Sequence, residues 1–173
     1  MAVLAIRIYP DPVLRVKCRP IATIDDRVRK LAADMVETMH AAPGIGLAAP
    51  QVGVEERLAV VDLSVGEDPS QILILVNPEI VQRDGQETEV EGCLSLPGLT
   101  DKVDRPTAVR LKARNLDGEP IELAAEGWLA RALCHELDHL DGILFVDHLH
   151  GLRRERAKRQ LKKLATDREE ALV

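Results

Sequence analysis

From Ile24 onward the apolar residues Ile24, Val28, Leu31, Met35 and Met39 recur at steps of four and three, the period of an α-helix. Thr23 with Asp26 makes a candidate capping box at its start, and Pro43-Gly44 a strong stop, so an amphipathic helix of about five turns is expected. Gly44 to Gly53 is too rich in glycine and small residues for a helix or strand interior and reads as a shaped loop or edge segment. Five β-like stretches follow: Arg57 to Leu63, Ile72 to Val76, Glu79 to Arg83, Val103 to Arg114 and Glu119 to Ala124. In the fourth, Val109, Leu111 and Ala113 alternate with Arg110, Lys112 and Arg114, as in a strand with one wet face. Asp117-Gly118 supplies a hairpin turn into the fifth. From Glu126 the helical period returns. Leu129, Leu133, Leu137 and Leu140 form one stripe, with Trp128, Ala132, His135 and His139 beside it. A helix apolar over most of its circumference belongs at the centre, wrapped by strands. The pattern predicts an α+β fold: antiparallel or mixed β-sheets around a central helix, flanked by an N-terminal and a C-terminal helix. No internal repeat or linker is visible, so residues 1–173 are expected to form one domain, with a helix at about 151–165 as an appendage.

Composition narrows the class. A chain of 173 residues that is 46% hydrophobic can bury a core without disulfides, and three cysteines, Cys18, Cys93 and Cys134, leave one unpaired in any pairing. Reduced thiols are expected. The apolar run at the N-terminus is too short for a signal-peptide core, and no stretch reaches the roughly 18 apolar residues of a spanning helix. These features point to the cytoplasm, with no membrane partner. A net charge of -6 and only three aromatic residues, Tyr9, Trp128 and Phe145, argue against DNA as a partner.

His135-Glu136-Leu137-Asp138-His139 carries the chemistry. It is an H-E-x-x-H pattern, and residues four apart share one helix face, so two imidazoles can reach one ion. Glu136 sits beside them, able to take a proton from an activated water and return it to a leaving nitrogen. Such a pattern also arises by chance on solvated helices, so a third ligand is needed. The metzincin position, six residues after His139, is Phe145 and supplies none. Among the thiols, Cys93 stands in Glu91-Gly92-Cys93-Leu94-Ser95, where Gly92 permits close backbone approach. Cys134 is rotated about 100° away from His135 on the helix, and it and Cys18 read as small buried hydrophobes. Cys93, His135 and His139 together leave the open position a catalytic ion requires, and suit Zn2+ or Fe2+.

With these pieces assembled the chain resembles the peptide deformylases over nearly its whole length. Gly44-Ile45-Gly46-Leu47-Ala48-Ala49-Pro50-Gln51 matches the family's G-x-G-x-A-A-x-Q motif, Glu91 to Ser95 its E-G-C-x-S motif, and His135 to His139 its H-E-x-D-H motif. Tyr9 to Arg15 is similar to the usual family opening. The resemblance implies removal of the N-formyl group from the initiator methionine of nascent polypeptides, with release of formate. A metal-activated water would be the nucleophile and Glu136 the general base and acid. It further implies that the Gln51 amide and the Leu94 backbone N–H bind the developing oxyanion, and that Ile45, Gly46 and Gly92 hold the substrate backbone. Trp128 and Ala132, core residues on the plain reading, would also wall the methionine pocket. The family most often uses Fe2+, with Zn2+ found in isolated protein. Two departures stand out: Cys134 precedes the helix motif where many relatives have Gln, and Thr100 stands where some carry Arg.

After Gly151 come Arg153, Arg154, Arg156, Lys158, Arg159, Lys162 and Lys163 against a single acid, Glu155, with Leu152, Ala157, Leu161 and Leu164 as an apolar line. The plain reading is a solvated helix face; the resemblance adds docking on the ribosome. Two other functions are compatible with the sequence: an H-E-x-x-H endopeptidase, and a ribosome-associated binding protein without catalysis.

Overall fold

The computed structural model describes residues 1–173, whose elements run α1 (Asp26–Ala41), β1 (Gly46–Ala48), β2 (Leu58–Val61), β3 (Leu73–Asp84), β4 (Glu87–Gly92), β5 (Thr100–Arg105), β6 (Ala108–Arg114), β7 (Pro120–Glu126), α2 (Gly127–Leu140) and α3 (Gly151–Ala171). Five strands form one antiparallel sheet in the order β1-β2-β3-β6-β7, and β4 pairs with β5 in a separate two-stranded sheet. The α+β class is as the sequence pattern predicts, with every named strand pair antiparallel.

The larger sheet is covered on both faces. Along β2, Leu58 and Val60 point into the cluster built on α1, with Val28, Met35 and Met39, while Val61 joins the cluster built on α2, with Leu133 and Leu137. This two-sided burial explains why β2 is apolar at all four positions, Leu-Ala-Val-Val. A third cluster joins Leu96, Val103 and Phe145 to Ala157 and Leu161 of α3. Helix α2 therefore lies at the centre, against the sheet and beside the β4-β5 pair.

Several boundaries differ from the sequence reading, each for a local reason. The α1 cap is Asp25, whose carboxylate accepts from the Val28 N–H at 3.1 Å, rather than Thr23. The segments Ile72 to Val76 and Glu79 to Arg83 are one strand, β3, with a register shift between Val76 and Glu79. Asn77 sits there at φ 51° and its side chain binds both the N–H and the carbonyl of Ile21. The single strand expected from Val103 to Arg114 is two, β5 and β6, in different sheets, parted at Pro106, which has no N–H to give a ladder. Strand β4 was not foreseen: its sequence, Glu-Thr-Glu-Val-Glu-Gly, carries little apolar alternation. Helix α3 runs on to Ala171, beyond the expected 165; of its apolar line, Ala157 and Leu161 are buried whereas Leu152 is exposed.

The β4-β5 pair and α2 are held together by charge. Arg105 on β5, 4% exposed, donates from Nε and Nη2 to the two Glu91 carboxylate oxygens at 2.8 and 2.9 Å, and from Nη1 to Asp138 at 2.5 Å. Arg131 on α2 donates to Glu91 Oε2 at 2.7 Å, and His148 bonds Asp138 Oδ2 at 2.7 Å. Burial alone would raise the Glu91 pKa, but the Arg105 and His135 bonds outweigh it and hold the carboxyl far below its ordinary 4.5. Because the folded value is the lower one, the cluster's stabilisation is present above about pH 4.5 and is lost as pH falls through the folded value. Arg105→Met takes the bidentate partner from buried Glu91 and one of two partners from half-buried Asp138, and should cost about 3–5 kcal/mol at pH 7. In urea unfolding of metal-free protein that deficit should shrink below pH 4; a deficit unchanged between pH 7 and pH 3.5 would contradict the assignment.

Candidate metal centre and active site

Helix α2 sets both histidines because 135 and 139 are one turn apart on its inner face. The Nε2 atoms of His135 and His139 stand 3.2 Å apart, and Cys93 Sγ lies 3.3 Å from His139 Nε2. The three donor atoms all fall within 4.8 Å of one another. Cys93 reaches them from the loop that follows β4, directly after exposed Gly92.

The donor set fits a metal ion. Metal–nitrogen bonds of about 2.0–2.1 Å and a metal–thiolate bond of about 2.3 Å place tetrahedral donors roughly 3.3–3.6 Å apart, close to these separations. The tautomer fits as well. His135 Nδ1 lies 2.9 Å from Glu91 Oε1, so its N–H points there and the Nε2 lone pair is left for an ion. Burial opposes a charged His135, but without an ion Cys93 and Glu91 hold its pKa up to about 10, so an ion bound at Nε2 would have to displace a proton there. Burial and then His135 push the His139 pKa well down, keeping it neutral as a ligand must be.

Glu136, between the two histidines, is 4% exposed, and its Oε2 is buried without a hydrogen-bond partner. Burial pushes its pKa up to about 7, only partly offset by His135. A carboxyl poised near neutrality can both take and give a proton. Its carboxylate lies against Gly46, where a Cβ would collide with it, so that position of β1 requires glycine.

Gln51 is buried at 1% exposure. Its Oε1 accepts from the Ala48 N–H at 2.9 Å, and its Nε2 donates to Ser95 Oγ at 3.2 Å and lies 3.8 Å from Cys93 Sγ. The Leu94 N–H makes no backbone hydrogen bond. Along one cavity of about 440 Å3 the structure brings together Ile45, Gly46, Gln51, Gly92, Cys93, Leu94, Trp128, Ala132, His135 and Glu136, while His139 lies immediately behind. One expectation is corrected: Trp128 is no core residue but 53% exposed, in the first turn of α2 at the cavity's edge. Cys18 and Cys134 are buried as expected, and burial raises both thiol pKa values, Cys18 to about 11.

Arg105, Arg131 and His148 did not emerge from the sequence, because nothing local to any of them signals a partner on another element. Glu91, Ser95 and Asp138 carry no sequence signal of their own beyond membership in the motifs that hold Cys93, His135 and His139.

A thiolate and two imidazoles around one point, with a buried carboxylic acid beside them and a cavity in front, define a mononuclear metal-dependent hydrolase. The family model described as polypeptide deformylase matches residues 3–155, and the chain belongs to that family. Its activity is the hydrolytic removal of the N-formyl group from nascent polypeptides, and it depends on a metal ion. The chain is 52% identical over 164 residues to the peptide deformylase of Alkalilimnicola ehrlichii, covering 95% of this chain and 92% of that one. It is also 52% identical to that of Azotobacter vinelandii, covering 94% and 96%. Among solved structures, a peptide deformylase from Legionella pneumophila superposes with a TM-score of 0.88 at 43% identity, covering 97% of this chain and 98% of that one. The enzyme from Thermus thermophilus gives 0.88 at 40% identity, covering 95% and 99%.

Cys93, His135 and His139 are candidate ligands and Glu136 a candidate proton carrier, and metal content tells the two roles apart. Elemental analysis should find metal retained in Glu136→Gln but lost in Cys93→Ala and His139→Ala. Full metal occupancy in Cys93→Ala would remove the thiolate from the ligand set.

Proposed function

We propose that Cys93, His135 and His139 hold one ferrous ion, and that Glu136, Gln51 and the Leu94 N–H carry out hydrolysis at the formyl group of N-formylmethionyl chains. The observation that carries this reading is the meeting, at one cavity, of the three donor atoms with a buried, unpartnered Glu136 oxygen. Bound there, a divalent ion polarises a carbonyl and makes a water acidic near neutral pH. Glu136 would take a proton from the attacking water and return it to the departing amine, a double duty to which a pKa of about 7 is suited. The Ala48 N–H fixes Gln51 by its Oε1, leaving the Nε2 group beside Cys93 to donate to the oxyanion along with the Leu94 N–H. Preorganised donors of this kind each contribute about 3–4 kcal/mol in the transition state.

The substrate backbone is held as an added strand. β1 and β4 are each unpaired on one edge, and Gly46 and Gly92 on those strands, with Ile45 just before β1, border the cavity. Trp128 and Ala132 wall the space for the methionine side chain. Residues 1–173 act as one deformylase domain. Iron is favoured over zinc by the family resemblance, since one thiolate and two imidazoles accept either. No helix is long and apolar enough to cross a membrane, and the reading places the enzyme in the cytoplasm, where its substrates are made.

Helix α3 supplies a docking surface for the ribosome. Arg153 and Arg156 approach Asp101 and Lys158 approaches Glu155, which leaves Arg154, Arg159, Lys162 and Lys163 without an ion pair. Clustered free cations of this kind attract phosphate backbones.

Anaerobic iron-loaded protein should release formate from formyl-Met-Ala-Ser, and Glu136→Gln should slow turnover by about 10²–10⁴-fold. Absence of formate with a full complement of iron would overturn the reading, and internal cuts in unformylated peptides would favour an endopeptidase. Ala132→Phe should raise KM for the same peptide without changing metal content; unchanged KM removes Ala132 from the pocket. Replacing Arg154, Arg159, Lys162 and Lys163 together by alanine should abolish co-sedimentation with ribosomes at low salt while sparing buried Ala157 and Leu161; undiminished binding contradicts docking through α3.

A further inference from the structure

We propose that Arg131 gives the methionine pocket a hydrogen-bonding wall that admits an oxidised side chain, so that the enzyme also deformylates chains beginning with N-formylmethionine sulfoxide. The inference rests on the reading of the cavity beside Trp128 and Ala132 as the side-chain pocket.

A cation is an unexpected lining residue for a pocket that receives a thioether. Arg131 precedes Ala132 on α2, is 4% exposed, and borders the same cavity as Trp128, Val90 and Leu99. Its charge is neutralised by Glu91, which accepts from Nη1 at 2.7 Å. The other bonds go from Nη1 to the Val103 carbonyl and from Nη2 to the Glu87 carbonyl, both at 2.8 Å.

An arginine has five N–H donors, and these bonds use three of them. The Nε–H and the second Nη2–H have no partner within the protein. Nor is Nε sealed away: the buried side-chain atoms lacking any partner are Glu37 Oε2, Glu136 Oε2 and His139 Nδ1. Arg131 borders the cavity and its Nε–H is neither partnered nor sealed, so the proposal assigns that donor to the cavity wall. The Trp128 ring, its centroid 5.8 Å from the guanidinium carbon, and the bonds to Glu91, Val103 and Glu87 fix the guanidinium plane. The free donors are therefore held in place.

A donor at the cavity wall loses its water when a ligand fills the cavity, and a ligand that brings an acceptor offsets that loss. A thioether sulfur is a weak acceptor. A sulfoxide carries one added oxygen on the same sulfur, which makes the side chain polar and chiral. In a wholly apolar pocket that oxygen would lose its water without compensation. Beside Arg131 it gains a charge-assisted hydrogen bond, the stronger kind. No redox step is required of the enzyme: the sulfur arrives oxidised, only the formyl C–N bond is cleaved, and the sulfoxide leaves unchanged.

The test compares formyl-Met-Ala-Ser with the two separated sulfoxide epimers of the same peptide, on iron-loaded wild type, Arg131→Leu and Arg131→Lys. Wild type should process the better epimer within about tenfold of the thioether in kcat/KM, and the two epimers should differ several-fold in KM with similar kcat, since the donors are fixed. Arg131→Leu should widen the gap between sulfoxide and thioether by a further tenfold or more, mainly in KM, a size expected for loss of one charge-assisted bond. Arg131→Lys, which keeps a donor, should recover part of the loss. If wild type releases formate from the thioether peptide but rejects both epimers by a hundredfold or more, the inference fails while the deformylase reading stands. Equal KM for the two epimers, or an unchanged sulfoxide-to-thioether ratio in Arg131→Leu, overturns it as well. No formate from the thioether peptide would instead bring down the underlying reading.

Discussion

The Glu91 carboxylate is the interaction on which the site depends. It stands on β4, two residues before Cys93, and receives Arg105 from β5, Arg131 from α2 and the Nδ1–H of His135. One buried anion thus joins the two-stranded sheet to the central helix and orients His135, a proposed metal ligand. The two-stranded sheet has no other strand to support it, so its position against α2 rests on these bonds and on the apolar cluster around Val103. Paired buried charges rarely stabilise more than well-packed apolar groups would. Their value here is placement, because the same carboxylate fixes the tautomer of His135 and the distance from Cys93 to the helix.

A second constraint is closeness of backbones. Gly46 on β1 leaves no room for a Cβ because the Glu136 carboxylate fills that space. The sheet edge and α2 therefore meet at Glu136, the proposed proton carrier. Burial of Glu136 as a whole raises its pKa to about 7. Catalytic competence and tight packing at β1 are in this sense one requirement, and the motif around Gly46 serves the helix motif 90 residues further along.

The sequence disclosed the elements whose signals are local. The 3.6-residue period drew α1 and α2, alternation drew β6, and four-residue spacing drew the histidine pair. Signals that depend on distant partners were weaker. Strand β4 reads as a polar segment because Glu91, the residue that most needs burial, is a carboxylate whose partners lie 14, 40 and 44 residues away. The break at Pro106 passed unnoticed because the strands on both sides keep β-like residues, and only the topology shows that they belong to different sheets. Helical periodicity puts Trp128 in the core, whereas in the first turn of α2 the ring is half exposed and lines the cavity. Cys93 was found by elimination among three thiols and by its motif, not by spacing, because ligands on separate elements have no fixed separation.

The central claim is that one thiolate and two imidazoles, arranged by Glu91 and α2, hold a single ion. X-ray absorption at the metal edge of the loaded protein reads that shell directly. The account predicts one sulfur scatterer at about 2.3 Å and two imidazole nitrogens at about 2.0–2.1 Å. A shell without sulfur, or with two sulfurs, would contradict it.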